Sequence, residues 1–185
     1  MPISTDGCLV VLQEMGISSE IRDIVKIARS RVGKSSYRRG ADPNLWPGVL
    51  DCSALTKWSY GQLGIWLPRY SVDQRDFGLR TDNISNMAPG DLIFKSGFRN
   101  YYWDNRADGV GHVGLISSSN SVIHAANSKV GIIESYIDDF TDGNDFRGVT
   151  RIAENLGKLF TLTLPNGIYL ETSMEVRWKI LQTLQ

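Results

Sequence analysis

Apolar and polar positions recur with two different periods along this chain, and the change falls near Asp91. Before that point the spacing is helical. Ile21, Ile24, Val25, Ala28 and Val32 line one face and predict a helix from Ser19 to Val32. Glu20 and Asp23 stand early in it, Arg29 and Arg31 late, and Gly33 supplies the stop. Residues 7–16 are apolar and fit neither period, while residues 34–50 are rich in Gly, Pro, Asn and Arg and predict loop. A second helix over Cys52 to Leu63 turns Leu55, Trp58, Ser59 and Leu63 inward and closes at Gly64. Pro68 then breaks the chain, and Ser71 to Phe77 predict a short helix.

From Asp91 the alternation is that of strands. Asp91 to Lys95, His112 to Ser118, Ser121 to Ala126, Val130 to Tyr136 and Phe146 to Ile152 fit it, separated by turn signals such as Ser118-Ser119-Asn120. Helices first and an antiparallel sheet afterwards is an α+β arrangement. Phe160 to Leu164 and Ile168 to Leu170 around Pro165-Asn166-Gly167 predict a hairpin. Ser173 is expected to cap a last helix with Met174, Trp178 and Leu181 on one side. The expected division is a main domain over residues 1–155 and an extension over 156–185 packed on it.

A chain of 185 residues can bury a substantial core. Hydrophobic residues make up 42% and charged residues 22%, ordinary globular usage that argues against disorder. Twenty basic and twenty acidic side chains cancel, which gives no footprint for nucleic acid or for an electrostatic membrane anchor. Met1 to Cys8 lack the basic start and apolar run of a signal peptide, and no stretch approaches transmembrane length. The expectation is a chain without leader or membrane anchor.

Candidate chemistry starts at Cys52, where loop gives way to helix. The dipole at a helix N-terminus favours the thiolate, which is the nucleophilic form. The bland alternative is a small buried residue, and the polar neighbours Asp51 and Ser53 count against it. The only histidines are His112, between Gly111 and Val113, and His124, between Ile123 and Ala125. If their strands form a hairpin about Ser118-Ser119-Asn120, both reach the same end of the sheet. His112 could then take the Cys52 proton to form a thiolate–imidazolium pair, with His124 orienting its ring. Each histidine taken singly also fits a strand position satisfied by backbone or core partners. Zinc is the weaker reading, because Cys8, Cys52, His112 and His124 lack C-x-x-C or H-x-x-x-H spacing.

Taken together, these segments resemble the NlpC-type family of bacterial cell-wall cysteine peptidases, within the papain-like superfamily. Asp51 to Leu55 is similar to its D-C-S-G-L block, with Ala54 in place of the glycine. Leu63-Gly64-Ile65, Leu67-Pro68-Arg69, Ser71 and Gln74 resemble G-I-x-L-P-R-x-S-x-x-Q. Pro89 to Phe94, His112 to Ile116 and Val122 to Ala125 resemble P-G-D-L-x-F, H-V-G-I-Y and F-I-H-A, and Phe146 to Ile152 its closing strand.

The resemblance spans roughly residues 19–153. It implies a papain-like α+β fold with the nucleophile helix packed on an antiparallel sheet. It also implies hydrolysis of amide bonds in peptidoglycan stem peptides, commonly between γ-D-glutamate and a diamino acid, with no cofactor. By position, Cys52 is the implied nucleophile, His112 the base and acid, and His124 the third member. Tyr37 is the implied oxyanion donor. Asp51 and Ser53 line the implied subsite for the free amino end of the stem, and helix capping remains open for Asp51. An N-acetylmuramoyl-alanine amidase, an acyltransferase, or a peptide-binding module without catalysis would fit the same shape. Reaching a cell wall without a leader implies a phage tail, a dedicated secretion apparatus, or work on imported wall peptides in the cytoplasm. The long aromatic segment over residues 95–111 could grip substrate or form a surface flap.

Overall fold

The computed structural model describes residues 4–97, 108–153 and 159–184. In chain order the elements are helix α1 (Thr5–Glu14), strand β1 (Ser18–Arg22), α2 (Ile24–Arg29), β2 (Ser36–Tyr37), β3 (Val49–Leu50), α3 (Cys52–Gly61), α4 (Ser71–Arg75) and β4 (Leu79–Thr81). They continue as β5 (Leu92–Ser96), β6 (Val110–Ser118), β7 (Ser121–Asn127), β8 (Gly131–Tyr136), α5 (Asp138–Thr141), β9 (Phe146–Arg151), β10 (Leu159–Thr163) and α6 (Ser173–Thr183). The chain divides into two units, Asp23–Lys158 and a smaller one of Met1–Arg22 with Leu159–Gln185.

The larger unit is α+β, as its periodicities predict. Its sheet runs β4-β9-β5-β6-β7-β8 with every pair antiparallel. Ile93, Ile116, Val122, Ile137, Phe140 and Val149 form a buried cluster on it. Helix α3 packs on β6 and β7 and buries Ala54, Leu55 and Tyr60 completely. A fully buried Leu such as Leu55 contributes about 2 kcal/mol. Gln74 of α4 holds helix α3 from the side. It accepts from Thr56 Oγ1 at 2.7 Å and donates to the Ser53 and Pro68 carbonyls at 2.9 and 2.8 Å. A buried amide satisfied on both ends rigidifies what it bridges.

The smaller unit buries Val11, Leu12 and Ile17 of the N-terminal segment with Ile180 of α6. The elements at the two ends of the chain depart from those expected. Residues 7–16, which fit no period, lie within or next to helix α1. Ser19 to Arg22 are strand rather than helix, because their backbone pairs antiparallel with β10. The helix starts only after Asp23, whose carboxylate accepts from Val25 N and Lys26 N at 2.9 and 3.1 Å. Residues 160–163 therefore pair with β1 and not with 168–170 in a hairpin.

The cap of α6 is Thr172, in a reciprocal capping box with Glu175, rather than Ser173. The periodic stripe of that helix, Met174, Trp178 and Leu181, is exposed, and Ile180 is its buried residue. The division between units also differs from one at residue 155, since the N-terminal segment joins the C-terminal one through the β1–β10 ladder.

Candidate active site

Two residues before helix α3, the chain forms a small parallel ribbon. β2 pairs with β3 so that Tyr37 sits opposite Leu50, and Arg38 N donates to the Leu50 carbonyl at 3.1 Å. This fixes Tyr37 beside the start of α3. Asp51 is the N-cap, accepting from Ala54 N at 2.8 Å. Its two oxygens also receive Gly40 N at 2.9 Å, Ala41 N at 3.2 Å, Ser53 Oγ at 3.3 Å, and Arg69 Nη1 and Nη2 at 2.9 and 2.6 Å. A carboxylate has about four lone-pair sites, so Asp51 is fully engaged within the fold. Arg69 also reaches Ser53 Oγ at 3.1 Å and lies over the Trp46 ring at 5.7 Å.

Cys52 is therefore the first residue of α3, half-buried, with its sulfur against β6, where the Val113 N–H stabilises the anion. The thiol is nevertheless pushed up to about 11. Burial is the largest cause and the Asp51 charge adds to it, outweighing the Val113 and Ser53 N–H groups and Arg69. Desolvation thus opposes the anion at this helix start by more than the nearby N–H groups and Arg69 favour it.

Leu115 of β6 faces Ile123 of β7, so the alternation of strands puts His112 and His124 together on the opposite face. His112 Nε2 and His124 Nδ1 are 2.8 Å apart, and His124 Nε2 is 3.2 Å from Ser135 Oγ. Phe140 stacks under His112 at 5.5 Å between centroids and meets His124 edge-on at 5.1 Å. Gly114 makes room for that ring: a Cβ there would lie 2.9 Å from Phe140 Cζ and 2.3 Å from Val122 Cγ1. Burial, His124 and the Lys95 charge, in that order, hold His112 well below the usual imidazole range. Burial followed by Lys95 lowers His124 to about 4, with Asp139 opposing. These environments favour the neutral thiol and the neutral imidazoles. A half-buried Tyr37 is raised by burial and then by the Cys52 and Asp51 charges, so it stays a phenol able to donate.

Tyr37, Cys52, Ser53, Arg69, His112 and His124 share the lining of one cleft of about 650 Å³. A sequence model of the NlpC/P60 family matches residues 33–144, which carry all six. The chain belongs to the NlpC/P60 family. Over 115 residues it is 36% identical to a protein of Corynebacterium glutamicum named "Probable endopeptidase", covering 62% of this chain and 47% of that protein. The chain thus spans about half the length of that relative. Among solved structures, it resembles an NLP/P60 family protein of Staphylococcus aureus described as similar to lipoprotein. The likeness has TM-score 0.55 and 27% identity, over 71% of this chain and 41% of that one. The peptidoglycan hydrolase RipB of Mycobacterium tuberculosis shares the fold, with TM-score 0.53 and 21% identity over 82% of this chain and 69% of its own.

Tyr37, Asp51, Cys52, Ser53, His112 and His124, the site residues expected from the sequence, all line this cleft. Arg69 and Lys95, which line it, and Ser135, which bonds His124, were not singled out. Arg69 was visible in the Leu-Pro-Arg block but not as the clamp on Asp51. Lys95 and Ser135 carry no local signal, since their importance is their cross-strand position. Phe98, Arg99, Tyr101, Tyr102, Trp103 and Arg106 of the aromatic segment lie outside the described residues. Among the described residues, no group of three or more His, Cys, Asp or Glu side chains is arranged to hold a metal ion, and no helix is long and apolar enough to cross a membrane.

Proposed function

We propose that this domain is a cysteine peptidase hydrolysing amide bonds in peptidoglycan stem peptides, at the γ-D-glutamyl–diamino acid bond. The observation that carries the reading is the hydrogen-bonded His112–His124 pair sharing a cleft with Cys52 at the first position of a helix. Membership of a family with a relative named as an endopeptidase supports it. His112 engages His124 through Nε2, which leaves Nδ1 to exchange a proton with the thiol. In the reading, Cys52 Sγ attacks the scissile carbonyl as its proton passes to His112. The Cys52 N–H and the Tyr37 hydroxyl hold the developing oxyanion. His112 protonates the leaving amine, and water then hydrolyses the thioester with His112 as base.

On the acyl side, Ser53 and the Asp51–Arg69 pair border the subsite for the free amino end of the stem. Asp51 can contribute there only by sharing oxygens already bonded to Arg69. The test is incubation of the protein and its Cys52→Ala variant with L-Ala-γ-D-Glu-diaminopimelate peptides, read by mass spectrometry. Cleavage after D-glutamate by the parent alone is expected. Equal turnover by both proteins rejects Cys52 as nucleophile, and cleavage of an intact muropeptide at the lactyl amide instead would favour an amidase.

A further inference from the structure

The two walls of the cleft differ in how their charge is balanced. On the wall formed by the start of α3, Arg69 forks onto Asp51 and the charges cancel. On the wall formed by the sheet, the cation is Lys95, half-buried and in direct register with His112 across the β5–β6 pair. Side chains directly opposite in an antiparallel pair emerge on the same face. Lys95 Nζ donates to the Asp139 carbonyl at 2.7 Å and lies 4.8 Å from the centre of the Phe140 ring that also supports His112. Among the described residues no carboxylate pairs with it, and the exposed Asp139 side chain forms no ion pair with it. An ammonium has three N–H donors, and the carbonyl uses one. The group is held in place by a carbonyl and a ring face, with donors to spare beside the cleft. A partly desolvated cation is costly unless an anion meets it.

We propose that Lys95 is the specificity residue of the amine side, binding a carboxylate carried by the residue that leaves. This rests on the peptidase reading above. His112 must protonate the leaving amine, so the residue bearing that amine lies against β6, and its neighbour across the ladder is Lys95. A stem peptide can present a carboxylate there from two sources. One is the side-chain carboxylate of diaminopimelate, which lysine lacks. The other is the main-chain carboxylate of a stem that ends at the diamino acid. Ammonium–carboxylate pairing is the same chemistry for both.

The experiment measures kcat/KM for the parent, Lys95→Gln and Lys95→Arg on four peptides L-Ala-γ-D-Glu-X. X is meso-diaminopimelate or L-lysine, each with a free or an amidated C-terminus. The readout is each protein's preference for a carboxylate-bearing peptide over the lysine amide, a ratio that cancels any general effect of the Lys95 charge on the histidines. The parent is expected to show a preference of about 10- to 100-fold, the range of a charge-assisted contact. Lys95→Gln brings it near unity, and Lys95→Arg retains most of it. A loss confined to the diaminopimelate peptides identifies the side-chain carboxylate, and one confined to free C-termini identifies the main-chain carboxylate. A preference unchanged in Lys95→Gln, or absent in a parent that cleaves all four, overturns the inference and leaves the peptidase reading standing. A parent that cleaves none of the four overturns both.

Discussion

Asp51→Asn removes one charge and little volume, at the residue that organises the site. In the native protein, Asp51 Oδ2 accepts from Gly40 N, Ala41 N and Arg69 Nη2. An amide nitrogen placed there would face three donors with a donor. Reversing the amide instead would turn the nitrogen toward Ala54 N, Ser53 Oγ and Arg69 Nη1, which is no better. Arg69 would also lose its counter-charge while its side chain is only 25% exposed. Removing one partner of a buried pair costs about 3–5 kcal/mol. The partial exposure of Arg69 and the one acceptor that survives place this case at about 3 kcal/mol. For a domain of this size, each kcal/mol lowers Tm by about 2–4 °C, so the transition should fall by about 6–12 °C. Thermal unfolding followed by tryptophan fluorescence is the assay, since Trp46, Trp58 and Trp66 all lie in the larger unit. The double variant Asp51→Asn/Arg69→Gln should recover part of the loss, because it leaves no unpaired charge. An Asp51→Asn protein within about 1 kcal/mol of the parent, the effect of an ordinary substitution, would refute the organising role.

Three further outcomes are expected. With Cys52 raised to about 11, alkylation by iodoacetamide should keep accelerating beyond about pH 9, and a rate already level at about pH 6 would mean a resting ion pair after all. Gly114→Ala puts a Cβ against Phe140 and Val122 and should cost about 1–3 kcal/mol, with a parallel drop in kcat as Phe140 shifts under His112; unchanged unfolding and kcat contradict this. Glu134 is lowered from 4.5 to about 2, mainly by its hydrogen bonds from Arg29. A depressed folded value adds stability that is complete above the unfolded value and lost as pH falls toward the folded one. Acid should therefore erode stability between about pH 4.5 and 2, by no more than about 1 kcal/mol for so exposed a pair. Glu134→Gln should remove that portion of the slope in urea titrations, and parallel curves for the two proteins would reject it.

The larger unit was legible because its signals are local. A helix start at Cys52, the parity of residues in β6 and β7, and a turn at 118–120 depend only on neighbours a few residues apart. The smaller unit was not. Ser19 to Arg22 fit a helical stripe, yet their backbone found partners in β10, far along the chain, and no local period reports on such a ladder. The exposed stripe of α6 makes the same point, since periodicity shows that a face exists and not whether anything covers it.

At the site itself, the residue types of the sequence were enough to select a thiol and two imidazoles and to bring the histidines to one end of a hairpin. Protonation and balance of charge came from the tertiary structure. Burial raises the Cys52 thiol, the fork of Arg69 occupies Asp51, and the β5–β6 register sets Lys95 beside His112 with no carboxylate paired to it among the described residues. Periodicity follows from bonds between near neighbours. Desolvation and charge pairing depend on which distant groups fill the space around an atom, and only the folded chain specifies that.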